Sequence, residues 1–114
     1  MNGFRPAMLV AFAAAGIAAA APLVFAQGLD AKAAADLMDQ YYCAGCHAVD
    51  KKMVGPAFRD VAKKYAGDAT APNQLALRVR RGGQGVWGAT PMPENDEIPD
   101  PELAALIAWI LMQR

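Results

Sequence analysis

Histidine occurs once in the 114 residues and cysteine twice, at His47, Cys43 and Cys46. A closed structural zinc site needs four ligands, and three Cys/His residues packed into five positions leave no second half-site. Neither sign of charge dominates: 11 Lys/Arg stand against 11 Asp/Glu. Nothing here is basic enough for nucleic-acid binding. Strand-like alternation and internal repeats are also missing, which argues against a β architecture.

Charge is scarcest at the start. The first 26 residues hold only Arg5, followed by an apolar run over residues 7–26 that passes Pro22 and ends Val24, Phe25, Ala26. A positive start, an apolar middle and a small-residue finish describe a secretory signal peptide, with cleavage expected after Ala26. The competing reading is a retained anchor. It is weakened by the dominance of alanine and by Pro22. The expected organisation is therefore a leader over 1–26 and one domain over 27–114. That domain has 88 residues and a formal charge of −1, since Arg5 leaves with the leader. A core this small often needs a staple or a cofactor.

What is present lies in one run, Cys43-Ala44-Gly45-Cys46-His47. C-x-x-C-H is the signature of covalent c-type haem attachment. Two thiols must reach two vinyl groups along one edge of the ring, and the adjacent imidazole is then held under the iron. Ala44 and Gly45 are small, so the backbone can follow the haem edge closely. A thioredoxin-like pair requires a βαβ setting, and no strand pattern precedes Cys43. A plain disulfide suits a secreted protein but leaves His47 unexplained.

With no second histidine, methionine is the candidate sixth ligand. Met38 and Met112 fall in amphipathic patterns, where Met is more often core filler. Met53 follows His47 by six residues, too close to cross easily to the opposite haem face. Met92 lies in Thr90-Pro91-Met92-Pro93-Glu94-Asn95. The flanking prolines stiffen the loop, so a thioether can be held at low ordering cost. Met92 is the expected ligand; the competing role is a turn residue packing on apolar surface.

Apolar spacing predicts helices over residues 31–42, 58–66, 72–81 and 102–112. Gly67 is placed to end the second and Gly82-Gly83 the third. In the third, Leu75, Val79 and Ala76 are expected to face inward. Asp100 is the expected cap of the fourth, with Pro101 at its first position. Residues 83–99 form a long irregular loop, and such loops in small domains are usually functional. This one carries Trp87 and Met92 and is expected to wrap the haem.

Cys43–His47, Met53-Val54-Gly55-Pro56-Ala57-Phe58, Gln84-Gly85-Val86-Trp87-Gly88, Pro91-Met92-Pro93 and Asn95 together resemble the bacterial cytochrome c-551 (c8) family of class I. The resemblance spans nearly all of the chain after the leader. It implies an all-α class I cytochrome c fold, four to five short helices around one haem c attached through Cys43 and Cys46. Met38 and Trp109 would meet where the N- and C-terminal helices cross. The Pro56 carbonyl would accept from His47 Nδ1–H. The Trp87 indole and Arg78 would contact a haem propionate, and the Asn95 amide would reach the Met92 sulphur. Read from the residues alone, Arg78 is a solvated charge and Asn95 a turn former, and for Trp87 the competing role is a packing aromatic.

With iron held by His47 and Met92 no coordination position stays open. The expectation is a periplasmic, monomeric one-electron carrier rather than an enzyme, without stable membrane insertion after cleavage. Its partners, by resemblance, are redox proteins such as a cytochrome bc1 complex, a nitrite reductase or a terminal oxidase. The charge balance suggests a partly apolar docking patch. Lys51, Lys52, Lys63 and Lys64 can ring one side, though such clusters are usually just solvated. The alternative function is a haem-based gas sensor or weak peroxidase, which would require a labile Met92.

Overall fold

The computed structural model describes residues 9–16 and 28–114. The expected leader and its cleavage point after Ala26 lie largely outside the described residues. Among the described residues no helix is long and apolar enough to cross a membrane.

Helix α1 spans Ala31–Gln40. Asp30 caps it, accepting the Ala33 N–H at 2.7 Å, which satisfies one donor of the first turn. Its inward face carries the buried Ala34 and Met38. The helix stops two residues earlier than the apolar spacing suggested. Tyr42 takes a left-handed φ of 64°, which breaks the ladder and turns the chain into a short 3-10 turn over Cys43–Gly45. Helix α2, Phe58–Lys64, is also shorter than expected.

Helix α3 spans Ala71–Arg81. The Asp68 carboxylate prepares its start, accepting from the Thr70 N–H at 2.8 Å, the Thr70 hydroxyl at 2.7 Å and the Gln74 amide at 3.1 Å. The α3 residues Leu75, Ala76 and Val79 pack against the core as expected. Helix α4 is Asp100–Leu111 and buries Leu103, Leu106, Ile107 and Trp109. Asp100 does not cap it. Pro99 holds that position, and Asp100 is instead the first helical residue, its carboxylate paired with Arg80.

The four helices meet around α4, which packs on α1, α2 and α3. Met38 and Trp109 belong to one buried cluster with Phe58, Ile98 and Leu106. Trp109 and Phe58 form a T-shaped pair, with centroids 6.4 Å apart and planes at 84°, a favoured aromatic geometry. Met112 departs from its expected core role: it lies just past the end of α4 and is 62% exposed.

The loop over 83–99 is less irregular than predicted. Gly83 and Met92 form an antiparallel bridge, each N–H donating to the other's carbonyl at 2.9 Å. The Asn95 N–H then donates to the Val79 carbonyl at 2.8 Å. The residues between are thus suspended from α3.

Candidate haem site

One cavity of about 340 Å³ opens between α2, α3, α4 and this loop, within the size range of small-molecule and cofactor sites. Its walls are mainly apolar, including Val54, Phe58, Val61, Leu75, Val79, Ile107 and Ile110. Cys46, His47, Pro56, Arg78, Trp87 and Met92 all line it. Side chains far apart in the sequence, from Cys46 to Ile110, therefore converge on one space.

The segment after the cysteine motif folds back to position His47. Gly55 N–H donates to the Cys46 carbonyl at 2.8 Å, and Phe58 N–H to the Ala48 carbonyl at 2.9 Å. This closure brings the Pro56 carbonyl within 2.8 Å of His47 Nδ1. A carbonyl only accepts, so Nδ1 carries a proton, and in the neutral ring Nε2 then keeps its lone pair. That tautomer suits an imidazole that binds metal through Nε2. Phe58 stacks on a face of the ring, centroids 5.1 Å apart and planes 14° from parallel.

Two glycines are required by close approach. A Cβ on Gly55 would run into the His47 ring, 2.9 Å from both ring nitrogens. At Gly82, φ is +63° and a Cβ would strike the Met92 carbonyl and the Glu94 nitrogen. Neither was singled out for such a role from sequence. Gly55 is contained in the motif that carries the resemblance, but its contact with His47 is not visible in the residue order. Phe58 lay in the same motif, and its stacking partner was equally hidden.

Two expected residues stand elsewhere. The Cys43 thiol does not line the cavity; it points to the Tyr41 carbonyl at 3.8 Å and packs against the core. Burial pushes that thiol's pKa above its ordinary value, because the low-dielectric surroundings disfavour thiolate. The two thiols are not joined to each other. Asn95 is also outside the lining. Its amide donates to the Tyr41 carbonyl at 3.1 Å, while its Oδ1 accepts from the Glu97 and Ile98 N–H groups at 3.1 and 3.4 Å. The expected reach to the Met92 sulphur is replaced by this tie to the end of α1.

Arg78 faces the cavity but already gives one N–H, from Nη1, to the Gly82 carbonyl at 3.1 Å. Trp87 is 42% exposed at the rim, with the Lys64 ammonium 5.5 Å above its ring, inside cation–π range. Of the four lysines expected on one side, Lys52 also touches the cavity.

A model of the cytochrome c family matches residues 31–113. This chain belongs to the cytochrome c family. It is 47% identical over 91 residues to cytochrome c-551 of Pseudomonas aeruginosa, covering 80% of this chain and 86% of that one. To cytochrome c-552 of Hydrogenobacter thermophilus it is 48% identical over 75 residues, covering 66% and 76%. Among solved structures, cytochrome c552 of Nitrosomonas europaea superposes with a TM-score of 0.67 at 44% identity, covering 70% of this chain and 99% of that one. The class 1 cytochrome MtoD of Sideroxydans lithotrophicus gives a TM-score of 0.63 at 32% identity, covering 72% and 94%.

The fold is accordingly that of a class I cytochrome c, with four short α-helices among the described residues. The protein is a monohaem electron carrier with one covalent haem c, and Cys43 and Cys46 are the two cysteines of its attachment motif. None of these matches speaks for the gas-sensing or peroxidatic alternative. The cavity fits the group chemically. It is apolar enough for a flat macrocycle, has an imidazole and a thioether in its lining, and carries Arg78 and Trp87 there as side chains with N–H donors.

Proposed function

We propose that His47 and Met92 are the axial pair of the haem iron, and that the protein passes single electrons between redox partners without transforming a substrate. The observation that carries this reading is the convergence of His47 and Met92 on one cavity, with the His47 tautomer set by Pro56. The cofactor, when bound, supplies a one-electron iron couple. The chain's own residues do the rest. His47 presents Nε2, and Phe58 and Pro56 keep the ring from turning. The Gly83 bridge holds Met92 at the cavity, and Met/His ligation raises the reduction potential. Arg78 and Trp87 offer N–H donors to the propionates.

Export to a periplasm is part of this reading, and the apolar run over residues 7–26 after Arg5 supports it. Partners are then periplasmic or membrane-bound redox proteins, such as a cytochrome bc1 complex, a nitrite reductase or a terminal oxidase. They would dock on a rim where Val54, Val86 and Trp87 are exposed. A monomer leaves that rim free. The test is carbon monoxide binding to the reduced protein at pH 7. A closed coordination shell gives little or slow binding; rapid binding contradicts the carrier reading.

A further inference from the structure

Arg80 does not line the haem cavity. Its side chain is only 24% exposed although it carries a full charge. Nη1 donates to the Asn95 main-chain carbonyl at 3.3 Å, and Nη2 to the Asp100 carboxylate at 2.6 Å. One guanidinium therefore joins α3, the loop that carries Met92, and the first turn of α4.

Asn95 is the other half of this clasp. Its N–H goes to Val79, its side-chain amide to the Tyr41 carbonyl, and its Oδ1 to the N–H groups of Glu97 and Ile98. Met92 is thus secured by its own bridge to Gly83 and, three residues later, by a knot tied to three other elements. The bridge consists of neutral backbone bonds. The knot includes a charged donor, and charge-assisted bonds are the stronger kind. A planar fork can serve two acceptors at once, which a lysine ammonium, a point charge, does poorly.

We propose that Arg80 is a positioning residue for Met92: through its bond to the Asn95 carbonyl it closes the ligand loop against α3 and so sets how often the Met92 sulphur leaves the iron. The proposal rests on Met92 being the sixth ligand.

The test uses the ferric haem-loaded protein at pH 7. Imidazole is added, and its association rate is followed by stopped flow. Imidazole captures the iron only while the Met92 sulphur is away. For Arg80→Gln the expected result is a rise of about tenfold, the scale of one hydrogen bond from a charged donor, with the far-red sulphur-to-iron band retained. Arg80→Lys gives a smaller rise and serves if Arg80→Gln fails to load haem. Asp100→Asn stays within about twofold of the parent, because that carboxylate is 92% exposed and exposed ion pairs contribute little.

A rate for Arg80→Gln within about twofold of the parent, the scale of a negligible surface pair, overturns the proposal. So does an equal rise in Asp100→Asn, which assigns the effect to surface charge. Leu106→Val controls for general loosening. If it opens the site as much as Arg80→Gln at matched loss of stability, Arg80 is merely structural and the proposal fails. Failure of the Met92 reading looks different: the parent itself lacks the far-red band.

Discussion

Phe58 stacks on His47 with ring centroids 5.1 Å apart and planes within 14° of parallel. The Phe58 ring also packs against Trp109 in a T-shaped pair. Phe58 therefore couples the imidazole to the buried cluster around α4, and the site inherits its rigidity from the core.

Phe58→Ala removes both contacts. Truncating a buried phenylalanine costs about 3–5 kcal/mol. The denaturant midpoint of the haem-loaded protein is expected to fall accordingly. Phe58→Leu, which keeps most of the volume, is expected to lose much less. Equal losses would mean that the aromatic contacts contribute nothing beyond volume.

Gly55→Ala places a methyl against the His47 ring. Forcing an extra methyl into a packed site costs about 1–3 kcal/mol. The ring must move, so the bond from His47 Nδ1–H to Pro56 is expected to lengthen. Proton NMR reads this through the Nδ1–H resonance, which would shift and exchange faster with solvent. An unchanged resonance and melting temperature would show that the ring is less confined than the geometry indicates.

The Tyr41 hydroxyl donates to the Glu102 carboxylate at 2.8 Å, linking α1 to α4. That bond, then burial, then the nearby Glu102 charge raise the Tyr41 pKa above its ordinary 10.0. The sign follows from linkage: a group whose pKa is raised by folding stabilises the fold fully below its unfolded value. That contribution fades as pH climbs through the raised folded value. Stability of the parent is expected to include a decline that begins near pH 10, the unfolded value. Tyr41→Phe is expected to be less stable at neutral pH and to lack that component. Denaturant midpoints of both proteins from pH 8 to 11 check this, and parallel curves would contradict it.

Met92→Ala is expected to keep the covalent haem but lower the reduction potential by roughly 0.1 V or more, within the ~0.8 V span set by axial ligands. Potentiometry decides. An unchanged potential would mean that another residue holds the sixth position.

Much of this site is legible in the residue order because covalent chemistry dictates it. Two thiols and an imidazole serving one ring must sit at a fixed short spacing, so Cys43, Cys46 and His47 stand out. Met92 is marked by its two prolines, which restrict the backbone whatever the tertiary context. The four helices follow from apolar periodicity, but their ends do not. Helix α1 stops at Gln40 because Tyr42 adopts a conformation uncommon for a bulky side chain, and no propensity signals that. Asp100 has the composition of a cap, yet its carboxylate is engaged by Arg80, twenty residues away. The Asn95 amide is likewise committed to Tyr41, 54 residues back. Such pairings are decided by packing after the helices have docked, and local pattern carries no trace of them.

The most direct test is a pair of absorption spectra, oxidised and reduced, of protein exported to a periplasm equipped for haem attachment. Sharp c-type bands are expected on reduction and, in the oxidised form, the weak far-red band of sulphur bound to ferric iron. A c-type spectrum without the far-red band would keep the haem and contradict the assignment of Met92. The absence of haem bands altogether would contradict the account at its centre.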